Sequence, residues 1–228
     1  MNNILKFVLI AASALTLHAA NQQYINLPDS LFVKKYINDK NCDLILRNDG
    51  FFTTCYDYGY KGAVFSYAKI EGKNASEGNI KERPRFYDDQ NIPKRYRSTY
   101  SDYTHTGLDR GHIQSDASWD FSKRSQLSTY AMSNILPQFP NTNRKSYLAV
   151  EKYERLVAQK IDYVNSLTIV FHDENPGKIG RNNIAVPIGF GKIFWNREQG
   201  FERCFYIPND DKIYKLKEME VGCDKLIR

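Results

Sequence analysis

The longest amphipathic pattern in the chain opens at Asn143, where Tyr147, Val150, Tyr153 with Glu154, Val157 and Ile161 recur at helical spacing. Around it the sequence is strand-like. Residues 44–46 and 51–56 flank the turn Asn48-Asp49-Gly50, and residues 63–70 follow as a further strand. Beyond the helix come apolar runs at 167–171, 184–188, 191–195 and 204–208. One dominant helix among many short strands, with no internal repeat and no linker, predicts a single α+β domain. Shorter helices are expected at 29–37, 123–132 and 213–220, the last closed by Gly222. Residues 72–79 are expected to form a loop, and Pro84 and Pro93 keep the basic segment 81–97 extended.

The ends of the chain bear on where it works. Lys6 precedes the apolar run 7–15, and Ala19 and Ala20 follow it. That run is too short to span a bilayer, which predicts a secretory signal peptide over residues 1–20 and a mature domain over 21–228. The expected location is periplasmic or secreted, with no membrane attachment once the signal is removed. The four cysteines, Cys42, Cys55, Cys204 and Cys223, all lie in the mature part. An oxidising compartment permits three pairings, of which the simplest is local, Cys42 with Cys55 and Cys204 with Cys223. Their spacing does not suit a zinc site. A formal net charge of +6 favours a polyanionic partner, either nucleic acid or an anionic membrane surface.

The chemistry is concentrated in Gly107-Leu108-Asp109-Arg110-Gly111-His112-Ile113-Gln114. A histidine titrates near neutrality and can take a proton from water. Gly111, lacking a side chain, would let a substrate backbone come close to His112. Asp109 and Arg110 would shape the site. Downstream, Asn143, Tyr147, Glu151 and Arg155 fall near one helix face. A carboxamide oxygen at Asn143 suits a hard cation that keeps most of its waters. Plainer roles exist too: an asparagine at a helix start can serve as its cap. Glu151 and Arg155 could form an i,i+4 ion pair worth about 0.2–0.5 kcal/mol.

Asp109-Arg110-Gly111-His112, together with Asn134-Ile135-Leu136-Pro137-Gln138, Asn143, Glu151 and Arg155, resembles the DNA/RNA non-specific endonuclease family, the sugar-non-specific branch of the ββα-metal nucleases. The match reaches upstream to 83–86 and 102–103 and downstream to 185–187. The resemblance implies a central, mostly antiparallel sheet with flanking helices, containing a ββα-metal motif. It implies His112 as general base, Asn143 as metal ligand and Glu151 as the water-coordinating carboxylate. Arg155 becomes a phosphate contact and Arg110 a supporting catalytic residue. Arg83 and Arg85 both lie at suitable spacing for the upstream substrate-binding arginine. Mg²⁺ is the implied cofactor, with Mn²⁺ as a substitute. DNA and RNA are the implied substrates, cut with little sequence preference to leave 5′-phosphate and 3′-hydroxyl ends.

The chain departs from the family at Gln114-Ser115, where Ala-Pro is common, and that puts the turn beneath the site in question. Two other readings suit a basic exported protein. One is capture of DNA without cleavage, with steep salt dependence and no metal requirement. The other is hydrolysis of smaller phosphodiesters, such as nucleotides or lipids.

Overall fold

The computed structural model describes residues 42–77 and 80–226. The signal peptide expected at 1–20 and the helix expected at 29–37 lie outside these. In chain order, the first half holds β1 (Leu44–Leu46), β2 (Phe52–Asp57), β3 (Gly62–Glu71), α1 (Gly72–Glu77) and β4 (Asp109–His112). Next come α2 (Asp116–Trp119), α3 (Lys123–Ser128), β5 (Ile135–Gln138) and α4 (Leu148–Lys160). The second half adds β6 (Tyr163–Phe171), β7 (Lys178–Ile179), β8 (Ile184–Ala185), β9 (Gly189–Asn196), β10 (Phe201–Pro208), α5 (Leu216–Met219) and β11 (Glu220–Val221). Among the described residues no helix is long and apolar enough to cross a membrane.

Seven strands pair in the order β1-β2-β3-β6-β9-β10-β11, every neighbouring pair antiparallel. The fold is therefore α+β, as the pattern of short apolar runs predicts, around a large antiparallel sheet of the kind the family resemblance implies. β6, at its centre, is buried along all but its first and last residues. Two further pairs, β4 with β5 and β7 with β8, stand apart from this sheet. One apolar core joins the sheet (Phe52, Ile70, Val164, Phe190, Phe194, Phe205) to the long helix (Tyr147, Val150, Ala158) and to Ile113 and Leu136 of the β4–β5 region. Burying such side chains, at about 25 cal/mol per Å² of apolar surface, is what fixes the helix and the small strand pair to the sheet.

Both disulfides are local, Cys42 to Cys55 and Cys204 to Cys223, with Cα atoms 5.3 and 5.2 Å apart. These separations fall within the ordinary disulfide range.

Several expected elements come out shorter or different, each for a tertiary reason. Residues 72–77 form a short helix rather than a loop. A Cβ on Gly72 would lie 2.2 Å from the Ala158 carbonyl oxygen, so the glycine lets α1 seat against the end of α4. There the Gln159 amide donates to the Ala75 carbonyl at 2.9 Å. The helix expected at 123–132 stops at Ser128 because the following backbone pairs with the extended basic segment. Tyr87 N–H donates to Tyr130 O at 3.1 Å and Met132 N–H to Tyr87 O at 2.9 Å. Of residues 184–188 only Ile184–Ala185 forms a strand, against β7; Val186 N–H adds one bond to the Gly177 carbonyl at 2.8 Å, and Pro187 then has no donor to extend the ladder. The helical tail shrinks to Leu216–Met219 because Glu220–Val221 adds to β10 as an edge strand. Gly222 then precedes a 3₁₀ turn at Cys223–Lys225 instead of capping a helix C-terminus.

Candidate active site

β4 and β5 pair antiparallel, setting Asp109 against Gln138, Arg110 against Pro137, Gly111 against Leu136 and His112 against Ile135. The chain leaving β5 passes Phe139 and Pro140 and enters the long helix, completing a strand–strand–helix unit. The helix opens with a π-helical segment, Thr142–Tyr147, before α4 begins. Such widened turns are rare and gather at functional positions. This one is pinned from below, since the Thr142 hydroxyl donates to the Pro208 and Asp210 carbonyls at 3.1 and 2.8 Å.

Asn143 does not cap the helix. Its backbone N–H donates to Phe139 O at 2.9 Å, so it already lies inside the first turn. Its side-chain amide donates to Asp109 Oδ2 at 2.9 Å, and the Arg144 guanidinium grips the same carboxylate with two bonds of 2.7 Å. Burial alone would raise the Asp109 pKa; the hydrogen bonds from Arg144 and Asn143 overcome it and leave the carboxylate below its ordinary value. The aspartate of the motif thus ties β4 to the helix start. That bond commits the Asn143 amide nitrogen and leaves its carboxamide oxygen for another partner.

The helix meets the same strand again on the far side of His112. Tyr147 donates its hydroxyl to the Ile113 carbonyl at 3.0 Å, and Arg155 Nη1 donates to Ser115 Oγ at 3.1 Å. The Ser115 hydroxyl in turn hydrogen-bonds to Glu151. His112 therefore lies along the chain between two tethers, Asp109–Asn143 on one side and Ser115 with Glu151 and Arg155 on the other. Gln114-Ser115, where the chain departs from the family pattern, serves these contacts. Gln114 Nε2 reaches Ser66 Oγ at 3.1 Å, and its backbone N–H and C=O are both held by the Asn134 carboxamide at 3.0 Å.

The role expected for Gly111 needs correcting. A Cβ there would lie 2.1 Å from Gln138 Cδ, so the room left by the missing side chain is filled by Gln138 and not by substrate. Gln138 is itself completely buried.

The His112 side chain is half-buried, flanked by the rings of Phe86 at 5.5 Å and Tyr130 at 5.0 Å. Its Nε2 is fully covered and has no hydrogen-bond partner among the described residues. Burial pulls the imidazole pKa down to about 4; Asp116 opposes this and Arg83 adds to it. The ring is thus neutral at pH 7. Glu151 is buried at the other end of the site, and burial pushes its carboxyl up to about 7 against the pull of Lys192 and Arg155.

The two upstream arginines separate. Arg83 contacts Asp116 at 2.6 Å and the Tyr130 hydroxyl at 3.5 Å, which places it in the surroundings of His112. Arg85 instead lines a cavity of about 490 Å³ with Phe86, Tyr100 and Arg110. There Arg110 lies over the Tyr100 ring at 3.6 Å and donates to the Tyr100 carbonyl at 2.9 Å.

Sequence reasoning passed over two side chains here. Asp116 stands four residues after His112, a spacing that could have drawn notice. Lys192, completely buried beneath the helix, pairs with the buried Glu154 at 3.5 Å. Its signal was a lone lysine within an otherwise apolar strand.

The donor set fits a hard, well-hydrated cation rather than zinc. Among the described residues no three His, Cys, Asp or Glu side chains converge. What Asn143 offers is a single carboxamide oxygen, held in orientation by Asp109. Mg²⁺ keeps several waters and needs few protein groups, so one such oxygen suffices.

Comparison with known proteins adds to this geometry. Residues 32–228 match the family model described as DNA/RNA non-specific endonuclease. The chain is 27% identical over 177 residues to mitochondrial endonuclease G of Bos taurus, covering 72% of this chain and 59% of that protein. Human mitochondrial endonuclease G is likewise 27% identical over 177 residues, covering 72% of this chain and 60% of that one. The chain thus spans less than two thirds of the length of these relatives. A chain in the solved EndoG/EndoGI complex superposes with a TM-score of 0.68 at 18% identity, covering 77% of this chain and 79% of that one, a likeness of fold. With the family model matching most of its length, and the motif strand and helix arranged as described, the chain belongs to the DNA/RNA non-specific endonuclease family.

Proposed function

We propose that the protein is a Mg²⁺-dependent endonuclease, tolerant of Mn²⁺, that hydrolyses phosphodiester bonds in DNA and RNA with little sequence preference. One observation carries this reading: a neutral, partly buried His112 on the strand that Asp109 ties to Asn143. His112 accepts a proton from a water that attacks phosphorus in line. The incoming phosphate brings negative charge, which raises the imidazole pKa from its low resting value toward the working range. Arg155, held by Ser115, and Arg83 neutralise the phosphate oxygens. Glu151 orients water on the side of the leaving 3′-oxygen, so the products carry 5′-phosphate and 3′-hydroxyl ends. Asn143 would hold the Mg²⁺, which when bound supplies positive charge to oxygens that become more negative in the transition state. None of these groups engages a 2′-hydroxyl, so both nucleic acids are substrates. Contacts to phosphate carry no base information, so preference among sequences is slight.

We further propose export, with the signal at residues 1–20 removed. Two local disulfides in the described domain suit an oxidising compartment.

The direct test incubates the mature protein with plasmid DNA and with RNA, each in Mg²⁺ and in EDTA. Degradation of both in Mg²⁺ and of neither in EDTA is expected. DNA retained but uncut, with affinity falling steeply as salt rises, would turn the reading toward capture. Cleavage of small bis-esters alone would turn it toward other phosphodiesters. Asn143→Ala is expected to lose activity that excess Mg²⁺ partly restores; a metal-concentration dependence like that of the wild type would remove Asn143 from the site.

A further inference from the structure

One charged side chain beside His112 has no part in the reaction just described. Asp116 is 5% exposed, and its carboxylate lies within hydrogen-bonding reach of the Tyr130 hydroxyl. Its charge is met by Arg83 Nη1 at 2.6 Å. The same Nη1 donates to the Tyr130 hydroxyl at 3.5 Å, and the Tyr130 ring stands edge-on 5.0 Å from the imidazole. The covered Nε2 of His112 has no hydrogen-bond partner among the described residues. A buried carboxylate and a covered imidazole nitrogen are thus linked through one guanidinium and one phenol.

The charged neighbours of His112 act in opposite senses. The guanidinium of Arg83, from the extended segment, disfavours the imidazolium; the carboxylate of Asp116, from α2, favours it. Tyr130, from the loop after α3, stays neutral because burial and Asp116 raise its pKa. Asp120, at the end of α2, faces Asp116, Arg155 and Arg83. Phe86 packs on the ring without charge.

We propose that Asp116 is a positioning residue: by offsetting the charge of Arg83, it keeps His112 basic enough to take a proton from water. This rests on the reading of His112 as general base. An isolated Arg83 beside the ring would leave a weaker base in a drier place.

Two measurements test it. In the pH dependence of kcat, Asp116→Asn is expected to move the acid limb down by about one pH unit and lower the plateau, and Asp116→Glu to restore the limb. In substrate-free protein, the His112 resonances, assigned against His112→Ala, are expected to titrate in the wild type but to stay unprotonated over that range in D116N. Asp116→Ser is read the same way should the asparagine variant fail to fold. A lower rate with an unmoved limb and an unmoved titration would reduce Asp116 to a structural residue and overturn the proposal. The titration needs no activity. If it shifts while the wild-type protein cuts neither DNA nor RNA, the endonuclease reading fails and the electrostatic link stands.

Discussion

Replacing His112 with alanine is expected to lower the rate of DNA and RNA cleavage by about 10²–10⁴, the usual contribution of a positioned general base, and to change nucleic-acid affinity little. The asymmetry follows from where the ring sits. Packed between Phe86 and Tyr130, it offers nothing to hold a polyanion but can take one proton. Arg155 and Arg83, the proposed phosphate contacts, stay in place, so KM measured on short duplexes is expected to move much less than kcat. The acid limb of the rate profile should also vanish in this variant, because the group whose protonation silences the wild type is gone. Full activity in His112→Ala would refute the assignment.

Glu151→Gln should make the protein more stable and less active. The fold raises the Glu151 pKa from 4.5 to about 7. For an acid raised in this way, the unfolded chain gives up its proton first as pH climbs from 4.5, while the native state keeps it until about 7. Stability is therefore lost across that window and stays lost above it. At roughly 1.4 kcal/mol per unit, the ionised carboxylate costs on the order of 3 kcal/mol near pH 8. A neutral amide of the same shape avoids that cost. Urea unfolding near pH 4.5 and near pH 8 should thus show the variant gaining on the wild type by about that amount, order of magnitude only. Nuclease activity should fall in parallel, since the amide cannot act as a carboxylate toward water. A difference that stays flat with pH would mean that Glu151 ionises in the fold without penalty.

How far the sequence discloses this protein depends on the range of each interaction. The strand runs and the long helix are local patterns, and the α+β sheet follows from them. Asp109 to His112 can be picked out because four residue types with complementary chemistry lie side by side. Helical spacing brings Asn143, Glu151 and Arg155 near one face, and the family resemblance is what marks them as site residues. What could not be read depends on contacts between distant segments. Glu154 falls where the apolar stripe calls for a hydrophobic residue, and only the sheet shows its partner, the buried Lys192. Arg83 and Arg85 differ by two positions in sequence yet point to different neighbours, Asp116 and the Tyr100–Arg110 cavity. Residues 72–77 of the expected loop wind into a helix because the end of α4 is there to receive it.

The contact between Gly111 and Gln138 carries a consequence for anyone redesigning this site. A glutamine lies folded over a bare backbone carbon, so neither position can be varied alone without either a collision or a void. A library randomised at one of the two should return almost nothing but the parent residue. Randomised together, it should return matched couples, in which a methyl or hydroxymethyl gained on β4 is balanced by a shortened side chain on β5. The strand pair beside the imidazole is therefore inherited with these two residues as one unit.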